Sequence, residues 1–422
     1  MKVFIAAFTI VVFAAWGRTD SIDSIPVESC NSQLASQQDG CEEHVWRLGF
    51  GSCHQQQKQT PIFDTISKGN LNAFAFLGDN VYNDEDDCAS FNNEVCDFRR
   101  NLEAQYRKLE RVVTRLFIGT DEEGAHNLLR NYGLLGEKLR RSSFLEEIPA
   151  VIATYDDHDY GWNDAGGAAQ PWRSKAVKHF KTFWSSVSPL MQAALERQKE
   201  EVKRHTGVHD QKSEFGVFTS HEFGTETDRL VRVVMLDTRY DRTALNTDPA
   251  REGAVFYIPN ADPQAHLLSE AQWQWLQREV AKPAALLVLG SSTQVLRQLN
   301  GGEHWGNFPL ERERLISILT NTSAVEKPRP VLIISGDIHH SELSAWPELH
   351  MYDATSSGLT ETWNQIPDPN SNLVDASSVV RDSNFGVLEV DWEKREVEVS
   401  FRDELGHARY RKALSFADIT PI

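Results

Sequence analysis

The sequence is short of positive charge: 43 Lys and Arg stand against 61 Asp and Glu in 422 residues, a formal balance of −18. A surface that acidic repels nucleic-acid phosphates and anionic lipid, which argues against a role in coating nucleic acid. Cysteine is scarce as well. There are five, too few for a disulfide-dense scaffold and odd in number, so four can pair and one is left over. Beyond the N-terminus no run reaches the ~18 apolar residues that a membrane-spanning helix needs. Hydrophobic residues at 40% and charged residues at 25% exclude a disordered chain and a polytopic membrane protein. Internal repeats, low-complexity tracts and a Pro/Gly-rich linker that would divide the chain are all missing. So are the Gly-x-Ser-x-Gly elbow, His-Glu-x-x-His and the Gly-x-x-x-x-Gly-Lys loop. Gly49-Phe50-Gly51 begins like a dinucleotide fingerprint, but His54 occupies the third glycine's place.

What is present begins with an apolar N-terminus. Lys2, the run Val3–Trp16 and small residues at Ala15 and Gly17 read as a signal peptide over residues 1–17, too short to span a bilayer comfortably. Export to an oxidising compartment would let disulfides persist. Cys30 and Cys41 flank one short segment, here placed in an N-terminal region 18–44, and Cys88 and Cys96 flank another. Closures of this size satisfy disulfide geometry, although sequence does not fix the connectivity. Under that pairing Cys53 stays free. Asn321-Thr322-Ser323 matches a glycosylation acceptor.

Apolar runs bounded by Gly, Pro or polar residues read as buried strands: Val45–Phe50, Phe74–Leu77, Ala150–Thr154, Leu230–Leu236, Leu286–Leu289 and Val331–Ile334. Helical spacing of apolar residues marks Phe98–Phe117, Asp121–Leu139, Ser174–Trp184, Ser269–Val280 and Glu311–Leu319. Ser269-Glu270 has the form of an N-cap followed by an acidic first turn. Phe385–Trp392 and Arg395–Arg402 alternate and predict an antiparallel pair. The pattern is α/β, with a mixed sheet or two stacked sheets in one domain over 45–422. Cys53, Asp79 and Asp337 each lie just past a strand, and Asp156 follows Ala150–Thr154 almost directly. In open α/β sheets, ligands bind at that end of the strands.

Three motifs carry metal chemistry. In Gly78-Asp79-Asn80-Val81-Tyr82 a turn brings a carboxylate and a phenol onto one ion, a pair suited to a hard trivalent cation; the rival reading is a turn capped by Asp79 with Tyr82 packed. Tyr155–Asp164 holds four carboxylates in nine residues, whose mutual repulsion divalent ions would relieve, with His158 a ligand or proton donor. The rival is an acidic surface loop. In Ser335-Gly336-Asp337-Ile338-His339-His340, extended backbone would project Asp337 and His339 on one side as a chelating pair. Glu85-Asp86-Asp87 reads as a solvated loop. A Cys53 nucleophile with His54 or His158 as base is a further chemistry, and it leaves the carboxylates unexplained.

Together, Gly51-Ser52-Cys53, Gly78–Tyr82, Asp156–Asp159, Leu236–Tyr240 and Ser335–His339, with Gln272-Trp273-x-Trp275-Leu276 and Ser356–Leu359, resemble the PhoD-like alkaline phosphatases of the calcineurin-like metallophosphoesterase superfamily. The resemblance runs from about Val45 to Trp392. It implies a four-layer αββα sandwich of two mixed sheets flanked by helices, and a centre of Fe(III) and Ca²⁺, other divalent ions being open at the second site. It implies a phosphomonoesterase or phosphodiesterase in which a metal-activated hydroxide attacks phosphorus in line. Carried over, Cys53, Tyr82 and His339 would hold iron and Asp79 would be shared. Asp157, Asn163 and Asp337, with Asp156, would hold calcium, and His158 would stand beside the leaving group. Asn80 would be a turn residue, Arg239 an ion-pair partner and Gln294 a further candidate ligand. The alternatives are an inactive secreted phosphate- or glycan-binding protein on the same fold and a phospholipase-type phosphodiesterase.

Overall fold

The apolar runs assemble into two six-stranded sheets. The computed structural model describes residues 44–59, 61–83, 121–168, 170, 173–206, 215–250, 256–298, 301–321, 328–363 and 370–422. The signal-peptide run, Cys30, Cys41, Cys88, Cys96, the 85–87 acidic run, the helix expected over Phe98–Phe117 and Thr322-Ser323 lie outside the described residues. In chain order the strands are β1 (Val45–Gly51), β2 (Ala73–Leu77), β3 (Val151–Thr154), β4 (Thr219–Phe223), β5 (Val231–Met235), the short pair β6 (Asn246–Thr247) and β7 (Tyr257–Ile258), and β8 (Leu286–Gly290). Then follow β9 (Val331–Ser335), β10 (Ser341–Trp346), β11 (Met351–Ser356), β12 (Asn384–Asp391), β13 (Glu396–Asp403) and β14 (Ala408–Ser415). The first sheet runs β14-β13-β12-β1-β2-β3 and the second β10-β11-β9-β8-β5-β4. Each is mixed. β1, β2 and β3 are parallel, as are β5, β8, β9 and β11, whereas β4, β10 and β12–β14 pair antiparallel.

Alternation along the strands makes the layers. On the second sheet Val231, Val233, Met235, Leu286, Val288, Leu332 and Ile334 face a core shared with the first sheet. Their neighbours Val234, Leu287, Leu289, Val331 and Ile333 face the opposite way. That outer face is covered by helix Glu270–Ala281 through Trp273, Trp275, Leu276 and Val280, and by Pro309–Thr320 through Leu315 and Leu319. Ser269 caps the former, its Oγ accepting from the Gln272 amide at 3.3 Å, as the sequence predicts. The first sheet is covered by Asp121–Arg141 and Arg173–Val187. Leu128, Tyr132, Leu135 and Leu139 recur at helical spacing and are buried, with Phe180 and Trp184 beside them. Phe76 packs on Trp184 with ring centroids 5.0 Å apart, and Phe74 on Phe144 at 5.3 Å. The order is helix, sheet, sheet, helix, an αββα sandwich. Burying each such side chain contributes about 1.5–3 kcal/mol, which fixes the strand ends the site depends on.

Candidate metal centre

The candidate residues follow one rule of position. Cys53 stands two residues beyond the end of β1, Asp79 two beyond β2, Asp156 two beyond β3, Ser292 two beyond β8 and Asp337 two beyond β9. All are parallel strands, so these side chains gather on the carboxyl-end rim shared by both sheets. The backbone turns sharply there. Cys53, Asp79, Asp164, Asp337 and His339 have left-handed φ of 61°, 48°, 57°, 79° and 59°, a conformation that costs non-glycine residues energy and clusters at functional sites. Gly78 is required on its own account: φ is +102°, and a Cβ there would lie 2.5 Å from the Cβ of Asp156.

Two ligand types converge on one carboxylate oxygen. Cys53 Sγ lies 3.4 Å from Asp79 Oδ2, and the Tyr82 hydroxyl donates to the same oxygen at 3.1 Å. Asp79 Oδ1 accepts from the His158 amide at 3.3 Å, and the Tyr82 and His158 rings lie 4.2 Å apart. Paired hydrogen bonds hold Tyr82 in place, its amide donating to Gln56 Oε1 and Gln56 Nε2 donating to its carbonyl, both at 2.8 Å. Asn80 donates to the Thr154 carbonyl at 2.9 Å and to Asp159 at 3.2 Å, the work of a turn residue. Asp159 accepts from the Asp156 and Asn80 amides and from Tyr132, so it braces the loop.

The second group is carboxylate-rich. One carboxylate oxygen each from Asp156, Asp157 and Asp337 lies within 4.8 Å of the others, and ligand atoms of Asp79, Asp157 and His158 form a second such set. Arg239, fully buried, donates through Nε to Asp156 and through a terminal nitrogen to Glu303 at 2.7 Å, with the other 3.6 Å from Asp157. It is an ion-pair partner, as expected. Ser292 donates to Asp156 Oδ1 at 2.7 Å. Asp156 Oδ2 and Asp157 Oδ1 are buried and accept no hydrogen bond from the described residues, although Arg239 lies 3.6 Å from the latter.

Charge follows that packing. Burial pushes the Asp79 carboxyl well above its ordinary range, and Asp157 adds to the effect; burial and Asp156 do the same to Asp337. Burial raises Asp156 too, against the pull of Arg239. Burial also opposes ionisation of Asp157, but His158 and Arg239 outweigh it and hold that carboxyl down. Carboxyls raised by burial and by one another, gathered within one close set, suit a site that takes a cation.

Some expectations change in three dimensions. Asp337 and His339 do not form an extended chelating pair, because both have left-handed φ. Asp337 joins Asp156 and Asp157, whereas the His339 ring stacks on half-exposed Trp363 at 4.5 Å and lies 6.4 Å from the Tyr82 ring. Gly336 lets β9 pack against Ser52: a Cβ there would meet Ser52 Oγ at 2.4 Å and its Cβ at 2.8 Å. Asn163 is exposed. Its neighbour Asp164 points inward to form a third close set with Asp157 and Glu303, and accepts from Tyr257. Gln294 is buried and its side chain is engaged with Glu342, Thr355 and Arg297. Nothing in the sequence marks a role for Glu303, Ser292 or Ser357, nor for Arg242, which also pairs with Glu303. Only the two-residue offset from β8 could have pointed to Ser292.

The sequence matches the PhoD-like phosphatase family over residues 48–400. The chain belongs to that family. Its members' metal-dependent phosphoester chemistry accords with the clustered carboxylates, and this PhoD-like phosphatase carries the matched region from β1 to β13 as one continuous stretch. Among solved structures it is similar to PhoD, with a TM-score of 0.56 at 15% identity, covering 91% of this chain and 72% of that one. It is also similar to GAP50, the anchor in the inner membrane complex of Plasmodium (TM-score 0.44, 11% identity, 89% and 90% coverage). A dimetal phosphatase from Danio rerio gives a TM-score of 0.42 at 11% identity over 88% and 99%. No curated protein sequence matches. Among the described residues no helix is long and apolar enough to cross a membrane.

Proposed function

We propose that this PhoD-like phosphatase is an exported hydrolase of phosphomonoesters, phosphodiesters or both, working with iron and calcium. The observation that carries the reading is the meeting of Cys53 Sγ and Tyr82 Oη on Asp79 Oδ2. A thiolate and a phenolate against one carboxylate make a donor set for Fe(III), while an all-oxygen group beside it suits calcium. In this reading Cys53, Tyr82 and His339 hold iron, Asp79 is shared, and Asp157 and Asp337, with Asp156, serve calcium. Such ions, when bound, supply a water nucleophile at neutral pH and neutralise charge on the phosphoryl oxygens.

The chain's own groups do the rest. Asp79 holds the Tyr82 hydroxyl and the His158 amide with its two oxygens, so the three keep one geometry. His158 Nε2 lies 4.0 Å from Asp157 Oδ2, and the ring is fixed against Tyr82, where it would hand a proton to the departing alkoxide. Arg239 fixes the Asp156 rotamer and limits repulsion among the three carboxylates it touches. Left-handed Cys53 and Asp79 aim their side chains over the rim without a flexible loop, which limits reorganisation during the reaction.

The test is hydrolysis of matched mono- and diester substrates by purified protein, with calcium varied and metal content measured. Bound iron with calcium-dependent turnover supports the reading. Protein that retains neither metal and hydrolyses neither substrate sinks it.

A further inference from the structure

Ser357 stands one residue past β11, on the second sheet, and its side chain reaches into the group led by Cys53 of the first sheet. It is fully buried. Its Oγ lies 3.0 Å from Cys53 Sγ and accepts from the His339 backbone amide at 2.8 Å. The amide can only donate, so it uses a lone pair of the serine oxygen. The hydroxyl hydrogen is left to point elsewhere, and the sulfur is the acceptor within reach. Once the thiol has lost its proton, Cys53 can accept only. Ser52, whose Oγ is 3.5 Å from the same sulfur, is turned also toward the Ser356 carbonyl at 3.4 Å, so the shorter contact is the one from Ser357.

We propose that Ser357 is a positioning residue of the metal centre, donating its hydroxyl to the Cys53 thiolate while its oxygen anchors the His339 backbone. This deepens the reading of Cys53 and His339 as iron ligands and rests on it. The serine links two ligands that come from different sheets and are 286 residues apart (339 − 53). A hydrogen bond to a ligating sulfur draws electron density off it and tunes the metal, as partners outside the ligand sphere generally do. Ser357 therefore sets both where the sulfur sits and how strongly it donates.

The experiment reads iron rather than turnover. Iron-loaded wild type should show a visible thiolate-to-iron charge-transfer band and retain iron against a chelator. Ser357→Ala should move that band to longer wavelength, because the sulfur donor level rises, and should weaken iron binding about 10–100-fold. The isosteric pair Ser357→Thr and Ser357→Val keeps the measurement decisive if the alanine variant does not fold. Thr should restore the band position and Val should not, with circular dichroism confirming the fold of both. An unmoved band and unchanged iron retention in Ala and Val, with wild type normal, overturns the role of Ser357 alone. A wild type without iron or without the band overturns the ligand reading and this inference with it.

Discussion

Cys53 Sγ lies 3.4 Å from Asp79 Oδ2 across the ends of two adjacent parallel strands. Burial and Asp79 push the Cys53 thiol well above its ordinary value, and burial, with Asp79 next, does the same to the Tyr82 phenol. Neither proton would leave readily without a cation to take its place. In the proposed reading, the arrangement would tie deprotonation of both groups to metal entry.

Cys53→Ala and Tyr82→Phe each remove one proposed iron ligand. Both variants should fold, lose bound iron and bleach the visible absorption, and hydrolysis should fall at least about 100-fold if the ion stabilises the developing charge. Elemental analysis and absorption spectra check this. Iron kept in both, with unchanged spectra, would contradict the assignment.

Stripping metal should cost stability as well as activity. Carboxyls raised by burial and by one another relax when a cation binds, and a ligand at 100 times its dissociation constant adds about 2.7 kcal/mol to the folded state. Melting temperature should drop on chelation and recover on adding calcium and iron back. A melt indifferent to metal would argue against the site.

Arg239→Ala leaves Asp156, Asp157 and Glu303 buried without their shared cation. Breaking a buried pair of this kind costs about 3–5 kcal/mol. Urea denaturation of metal-free protein should show the loss, and added calcium should recover part of it. A change below about 1 kcal/mol would mean the carboxyls are protonated in the native state.

Gly78→Ala should destabilise by at least about 2 kcal/mol, since the new methyl would meet the Asp156 Cβ and amide at 2.5 and 2.8 Å with φ at +102°. The damage reaches the site because Asp79 and Asp156 both shift. A variant with wild-type melting and metal content would show that the β2 and β3 ends can part at little cost.

Acid stability has a separate source. Burial opposes ionisation of Glu342, but His340, Arg297 and Gln294 prevail and lower its carboxyl to about 2 from 4.5. A depressed carboxyl stabilises the fold above its unfolded value and loses that contribution as pH falls through the folded one. The window is thus pH 4.5 to 2, worth about 3 kcal/mol. Glu342→Gln should flatten the stability curve across that window, as read by urea midpoints. An unchanged slope refutes it.

Much of this was legible because the strands are short apolar runs with polar stops, so their ends could be found to within a residue or two. The ends of β1, β2, β3 and β9 gave Cys53, Asp79, Asp156 and Asp337. β11 reads less clearly: Met351–Ser356 mixes Asp, Thr and Ser with its apolar residues, and its network with Ser335 and Gln294 satisfies groups that look exposed in sequence. That concealed the neighbouring Ser357. Glu303 was hidden for another reason. It lies in a loop without periodicity, and its tie to Arg239 spans 64 residues. Asn163 and Asp164 show how a single residue of turn decides which of two neighbours faces inward, a choice set by the left-handed φ of Asp164 that spacing does not encode.

In the proposed metal centre, the offset of site residues from strand ends would make metal occupancy a gauge of the integrity of both sheets. The proposed ligands follow four strands, β1, β2, β3 and β9, which belong to two sheets sharing one core. Partial unfolding that frees any one of them dismantles the coordination sphere before it exposes most of the core. On the proposed reading, a damaged molecule would shed its ions first, and so fall silent as a catalyst while still largely folded.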